Sequence, residues 1–271
     1  MHQTRFTPPF LQAKHSSEGR AGFIKFLGTA GARFVMIRQL RASGGIWVSA
    51  SGKNILIDPG PGSIVQCNKS RPKLDPSKLD AIILSHRHLD HSGDINVMIE
   101  AMTEGGFKKR GLLFCPGDAL DEDPVILKHT RDCLEEIQIL KENSDYRIRD
   151  FVFHTSMRHI HPVETYGIKF KIGKSSISLL VDTKYFSELK DFYSTDILII
   201  SVVFYQPRPE IEHLSLSDAK QIITQTKPKK AVLSHFGMTM LKAKPHLLAQ
   251  KLTEELGIEV VAAYDGMSLE F

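Results

Sequence analysis

The chain has little cysteine, a single tryptophan, and no long run of apolar, charged or low-complexity sequence. Its 271 residues contain three cysteines, Cys67, Cys115 and Cys133. An odd count without CxxC spacing excludes a disulfide framework and a cysteine-built zinc site, so free thiols, buried or half-buried, are expected. No apolar stretch reaches the roughly 20 residues that a membrane helix needs. The first 20 residues lack the apolar core of a signal peptide. A cytoplasmic protein without a membrane partner is the expectation. Basic residues exceed acidic ones by only four, which suits an anionic substrate without demanding one. The short runs Lys108-Lys109-Arg110 and Lys227-Pro228-Lys229-Lys230 read as solvated surface rather than a nucleic-acid tract.

What is present describes a globular domain. Hydrophobic residues make up 42% and charged residues 24%, which excludes a disordered chain and a membrane bundle alike. No linker composition or internal repeat divides the sequence. One domain over residues 21–271, after a flexible segment 1–20, is the simplest organisation. A domain of this size buries roughly three quarters of its unfolded surface, enough to hold a polar site rigidly.

Short runs rich in β-branched or aromatic residues, ending in polar or glycine signals, predict strands. They are Phe23–Leu27, Gly45–Ser49, Asn54–Asp58, Ala81–Ser85, Leu112–Cys115, Phe151–His154, Ile168–Ile172, Ser176–Asp182, Asp196–Val203, Ala231–Ser234 and Glu259–Ala263. Ser51-Gly52-Lys53 and Gly173-Lys174-Ser175 supply hairpin turns. Helical periodicity marks Asp94–Met102, Val125–Lys141, Ser217–Gln225 and Pro245–Leu256, with Ser217 as an N-cap. Clustered strands with helices after them predict an α/β (α+β) fold, a four-layer αββα sandwich. Asp58, Ser85, Asp182 and Ser234 all fall at strand ends, where loops gather at one rim.

The chemistry is concentrated in Ser85-His86-Arg87-His88-Leu89-Asp90-His91, between a strand and a helix. Three imidazoles and a carboxylate packed together are costly to desolvate unless something satisfies them. A divalent cation does so, because neutral imidazole and carboxylate are among zinc's preferred ligands. His86 and His88, two residues apart, can point the same way and share one metal, while Asp90 and His91 are placed for a second. Both metals need further ligands. Strand-end His161, Asp182 and His235 are the candidates, and His159 and His154 are partners or polar surface near His161. His2, His15, His129 and His246 stand without a motif and read as surface groups.

Taken in this order, Asp58 in Leu56-Ile57-Asp58-Pro59-Gly60, the HxHxDH block, His161, Asp182 and His235 resemble the metallo-β-lactamase superfamily over roughly residues 22–271. The resemblance implies an αββα sandwich with two metals at one rim, bridged by a hydroxide. It implies that His86, His88 and His161 hold one metal, that Asp90, His91 and His235 hold the other, and that Asp182 bridges them. Zinc is the expected ion, with manganese or iron as alternatives. Asp58 in this family orders the loop under the site. Asp182, where true β-lactamases commonly carry cysteine, is similar to the phosphodiesterase branch that includes RNase Z and cyclic-phosphate phosphodiesterases. Glu212-His213-Leu214-Ser215, opening a helix, resembles that branch's accessory histidine motif, and so does Gly28-Thr29-Ala30-Gly31 after the first strand. The 21 residues from His161 to Asp182 leave no room for the tRNA-binding arm of RNase Z. The cyclic ribosyl phosphate phosphodiesterase lacks that arm too, but its extra cysteine-bound zinc has no counterpart in residues 30–43.

The reaction expected is metal-assisted hydrolysis of a small anionic phosphodiester or cyclic phosphate. Asp90 and His213 are the candidate catalytic residues, His213 as general acid or as donor to the phosphoryl oxygen. Two other readings stay open: a sulfur or di-iron oxidoreductase on the same scaffold, and an RNA or DNA nuclease, for which no basic groove is evident. A second copy of the chain is the candidate oligomeric partner. Residues 103–150 and 204–209 are expected to shape the pocket.

Overall fold

A computed structural model describes residues 22–121 and 123–271; the expected segment 1–20 lies outside the described residues. Strand alternation sorts its side chains into layers. Ile55 and Ile57 join one buried cluster while Leu56 between them joins another. Ile199 faces inward, with Leu198 and Ile200 on the opposite side.

Six strands run first: β1 Gly22–Phe26, β2 Ile46–Ala50, β3 Lys53–Ile57, β4 Ala81–Ile83, β5 Leu112–Cys115 and β6 Glu136–Ile139. Seven more follow: β7 Asp145–Ile148, β8 Phe151–Arg158, β9 Tyr166–Ile172, β10 Ser175–Leu180, β11 Ile197–Ser201, β12 Lys230–Ser234 and β13 Glu259–Ala262. The last strand, β14 Ser268–Glu270, returns to the first group. They form two seven-stranded sheets, ordered β14-β1-β2-β3-β4-β5-β6 and β13-β12-β11-β10-β9-β8-β7.

The two sheets share one plan that the sequence does not display as a repeat. In the first, β1, β2 and β3 pair antiparallel, and β3 through β6 pair parallel. In the second, β7 through β10 pair antiparallel and β10 through β13 pair parallel. Asp58 and Asp182 follow the strands at which the two sheets switch from one pairing to the other. Ligands of open α/β sheets gather beyond the carboxyl ends of strands at such a switch.

The inter-sheet core draws Ile24, Phe26 and Ile57 from one sheet and Phe153, Phe170 and Leu179 from the other. Helices cover both outer faces. On the first sheet, Cys67 of α2 (Ser63–Lys69) and Met98, Ile99 and Met102 of α4 (Ile95–Met102) pack on Leu56, Ile82 and Leu113. On the second, Leu189 of α6 (Leu189–Tyr193), Ile222 and Ile223 of α7 (Leu216–Thr226) and Leu252 of α9 (Pro245–Leu256) pack on Leu180, Leu198 and Ile200. Full burial of each such side chain stabilises by roughly 1.5–3 kcal/mol. The four-layer αββα sandwich is therefore the fold. The remaining helices, α1 Ala32–Ile37, α3 Leu89–Ser92, α5 Lys128–Arg131 and α8 Met238–Lys242, are short pieces in loops.

Element by element, α9 spans the predicted residues, with Pro245 in its first turn and Gly257 as a left-handed C-cap. Three expectations need correction. Val125–Lys141 is not one helix but the single turn α5 followed by β6. Glu136-Ile-Gln-Ile alternates with period two, and parallel pairing with β5 overrides its helical composition. The α7 N-cap is Ser215 rather than Ser217, because Ser215 and Asp218 form a reciprocal capping box. His213 thus lies two residues before that cap and not on the helix. Cys67 and Cys115 are buried and Cys133 half-buried, all as free thiols. Burial pushes both Cys67 and Cys115 up to about 12, which keeps them protonated and inert.

Candidate metal centre

Strand ends from both sheets deliver the site. Beyond β4, Leu84-Ser85 leads into His86 and His88, and the one-turn helix α3 carries Asp90 and His91. His161 lies in the loop between β8 and β9, Asp182 just past β10, and His235 directly after β12. Asp58 and His235 have φ of 53° and 56°, a left-handed conformation uncommon outside glycine and typical of residues held for a purpose.

All seven side chains expected as ligands are brought together, in two groups. Potential ligand atoms of His86, His88 and His161 lie within 4.8 Å of one another, as do those of Asp90, His91, Asp182 and His235. In the first group His161 Nε2 is 3.0 Å from His88 Nδ1. In the second, His91 Nε2 is 3.3 Å from His235 Nε2, and His235 Nε2 is 3.5 Å from Asp90 Oδ2. Asp182 touches both groups. Its Oδ2 lies 3.7 Å from His86 Nε2 and 3.4 Å from His91 Nε2, while Oδ1 lies 3.4 Å from His235 Nε2. His213 approaches the same carboxylate, with Nδ1 3.6 Å from Oδ2.

The outward nitrogens of three imidazoles are fixed by neighbours. His86 Nδ1 is 3.0 Å from the Ser85 hydroxyl. His91 Nδ1 is 3.0 Å from Asp58 Oδ2, and Asp58 also accepts from the Ser85 backbone N–H and hydroxyl at 2.7 Å each. His161 Nδ1 is 3.0 Å from the Glu212 carbonyl. Each contact directs the other ring nitrogen into the cluster, the arrangement that orients metal-binding histidines.

The electrostatics suit a cation. Burial and the neighbouring His91 hold His86 well below the ordinary histidine range. Burial and His161 lower His88 to about 4, and burial also lowers His161 and His213. Burial opposes charge on His91 too, but Asp90, Asp58 and Asp182 together hold it well above its usual value. Burial resists ionisation of Asp182, yet His235 and His213 keep its carboxyl well below the normal range. Burial thus favours the neutral, metal-binding form of His86, His88, His161 and His213. His86 Nε2, Asp182 Oδ1 and His213 Nδ1 are buried without hydrogen-bond partners. Buried polar atoms of this kind are normally satisfied. A donor set of imidazole nitrogens and carboxylate oxygens fits zinc-type divalent ions.

His159 and His154 separate clearly. His159 is buried under Asp182, with Nδ1 3.1 Å from its carbonyl oxygen and Nε2 2.6 Å from the Tyr193 hydroxyl. His154 instead pairs with exposed Asp145 near the surface. His129 and His246 are exposed, while His2 and His15 lie outside the described residues. Sequence reasoning missed the Glu212 carbonyl and the His159–Tyr193 pair. A carbonyl leaves no trace in a sequence, and Tyr193 is 34 positions from its partner. It also missed the ion pair of Arg87, inside the motif, with Asp118 at 3.4 Å; the strand-end signal Pro116-Gly117-Asp118 could have suggested it.

Two mixed sheets flanked by helices, with histidines and aspartates at one rim, define the class. The family described as "Beta-lactamase superfamily domain" matches residues 53–236, and the chain belongs to the metallo-β-lactamase superfamily, whose enzymes are metal-dependent hydrolases. It is 30% identical over 256 residues to the uncharacterized protein MJ1374 of Methanocaldococcus jannaschii, covering 91% of this chain and 94% of that one. The crystal structure of the metallo-beta-lactamase fold protein YhfI from Bacillus subtilis superposes with TM-score 0.76 at 21% identity, over 92% and 99% of the two chains. A diphosphatase from the PhnP family superposes with TM-score 0.69 at 21% identity, over 92% and 97%. These two likenesses carry the fold. Among the described residues no helix is long and apolar enough to cross a membrane.

Proposed function

We propose that the chain is a binuclear metal-dependent phosphodiesterase acting on a small phosphodiester or cyclic phosphate. One observation carries this reading. The Asp182 carboxylate belongs to one candidate ligand group and lies 3.7 Å from His86 Nε2 of the other, with His213 Nδ1 3.6 Å from its Oδ2. His86, His88 and His161 would hold one divalent cation, Asp90, His91 and His235 the other, and Asp182 would contact both. Zinc fits this donor set, with manganese or iron as alternatives. Bound there, two such cations would supply Lewis acidity and activate water near neutral pH.

The chain's own residues do the rest. Asp58 keeps the His91 proton on Nδ1, and the Glu212 carbonyl does the same for His161, so that Nε2 of each faces the cluster. Burial lowers His213, and an anionic phosphoryl group beside it offsets that burial, so that the imidazolium passes a proton to the departing oxygen; as the neutral ring, its N–H donates to the phosphoryl oxygen as charge builds on it. The Phe204 ring, 6.1 Å from that of His213, covers one side of this histidine. The short link from His161 to Asp182 is taken up by the β9–β10 hairpin, which favours a small substrate over a tRNA held by an arm.

Hydrolysis of a cyclic ribose phosphate, followed by ³¹P NMR, tests the reading. The metal-loaded protein should open the ring to a monoester, and His213→Ala should do so much more slowly with its metal content intact. Full-rate turnover by His213→Ala removes that residue from the reaction. Loss of all diester hydrolysis in the metal-loaded wild type would remove the function.

A further inference from the structure

His235 is the one candidate ligand supplied by the far end of the second sheet, and its left-handed φ of 56° needs support from its surroundings. That support reaches back to Asp265, in the turn between β13 and β14 that crosses from one sheet to the other. The Asp265 Oδ1 accepts from the Thr29 backbone N–H at 2.9 Å and its hydroxyl at 2.7 Å. Its Oδ2 accepts from the Ala42 N–H at 2.7 Å. Ala30 N–H donates in turn to the Ala42 carbonyl, so one carboxylate ties the β1–α1 loop at Thr29 to the segment that follows α1 at Ala42.

The loop then grips the residue after His235. Phe236 N–H donates to the Thr29 carbonyl at 2.9 Å, and Gly31 N–H donates to the Phe236 carbonyl at 3.0 Å. The approach is so close that a Cβ on Gly31 would stand 2.0 Å from the His235 carbonyl oxygen. Arg41 adds a second brace, its Nη1 donating to Thr29 Oγ1 at 3.0 Å. Ala263 N–H bonds the Leu233 carbonyl at 2.8 Å, tying the Asp265 turn to β12 itself. His86, His88 and His161 lie outside this chain of contacts.

We propose that Asp265 is a positioning residue for the second cation position, fixing His235 through Thr29 and Phe236 without touching the cation. The proposal rests on the two-cation reading above. An asparagine cannot replace the carboxylate, because one of its two ends would present N–H₂ to the Thr29 or the Ala42 N–H donor.

The experiment is stepwise titration of metal-free protein with Co(II), read by calorimetry and by the visible absorption of each bound ion. Wild type should take up two equivalents. Asp265→Asn should bind the first as wild type does and the second roughly 10–100-fold more weakly, the usual cost of losing a group that orients a ligand. Thr29→Val should shift the second equivalent in the same direction by less, and Thr29→Ser, which keeps the hydroxyl, should restore it. Asp265→Asn binding the second equivalent like wild type would overturn the positioning role alone, and so would equal weakening of both equivalents. Wild type binding fewer than two equivalents would overturn the two-cation reading and this proposal with it. Should Asp265→Asn fail to fold, the contrast between Thr29→Val and Thr29→Ser decides.

Discussion

Replacing Asp58 by asparagine changes almost nothing in shape and one thing in chemistry. Asparagine tolerates the positive φ of 53° at this position as well as aspartate does, so the backbone should hold. The carboxylate accepts three hydrogen bonds, two from Ser85 at 2.7 Å and one from His91 Nδ1 at 3.0 Å. Its side chain is only 12% exposed, so water cannot easily take over. With the amide oxygen on the Ser85 N–H, the new N–H₂ faces His91 Nδ1. The imidazole then accepts at Nδ1 and carries its proton on Nε2, the atom that points at Asp182 and His235. The same tautomer trap disables catalytic histidines elsewhere. Hydrogen bonds to a charged group are worth about 1.5–3 kcal/mol, so a roughly 10–100-fold loss of affinity at the second cation position is expected. Calorimetric zinc titration measures the loss, and ¹⁵N chemical shifts of the imidazoles report the tautomer. A variant that binds both equivalents at wild-type strength, with His91 still protonated on Nδ1, would refute the reasoning.

Three further outcomes follow from contacts already described. His213→Gln should lower kcat by roughly 10²–10⁴ with unchanged metal stoichiometry; a change confined to KM would make His213 a binding group instead. Buried His159 is held at about 4, below its unfolded value. The unfolded chain therefore binds an extra proton between about pH 6.5 and 4, so metal-free protein should lose stability as pH falls through that window. His159→Gln should flatten the slope in denaturant unfolding measured across this pH range, and an unaltered slope would contradict it. Gly167→Ala would place a Cβ 1.7 Å from the Tyr193 hydroxyl, disrupting the pair that lies under Asp182. A drop in melting temperature equivalent to roughly 1–3 kcal/mol is expected, and a wild-type melt would show that Tyr193 moves freely.

Much of this was legible in the chain because periodicity and strand-end chemistry coincide. Ala81–Ile83 is short and apolar, and the polar burst from Ser85 to His91 begins where the strand must end. Asp58, Asp182 and His235 follow the same rule after β3, β10 and β12. Helix α9 announced itself through Pro245 and Gly257, local signals that need no tertiary information. Less legible were elements decided by distant partners. Glu136–Ile139 has helical composition and becomes a strand only because β5 offers an edge. Ser268–Glu270 is too short to announce itself and pairs with β1 across the chain. Contacts through backbone atoms, such as His161 to the Glu212 carbonyl, left no mark on residue type. Side chains far apart in sequence, such as His159 and Tyr193, were equally silent until the fold joined them.

Metal content measured alongside turnover of bis(p-nitrophenyl) phosphate is the direct test of the proposed two-cation phosphodiesterase centre. Two divalent ions per chain are expected, with diester hydrolysis that is lost on chelation and restored on adding the second equivalent. A single iron per chain with no diesterase activity would contradict it.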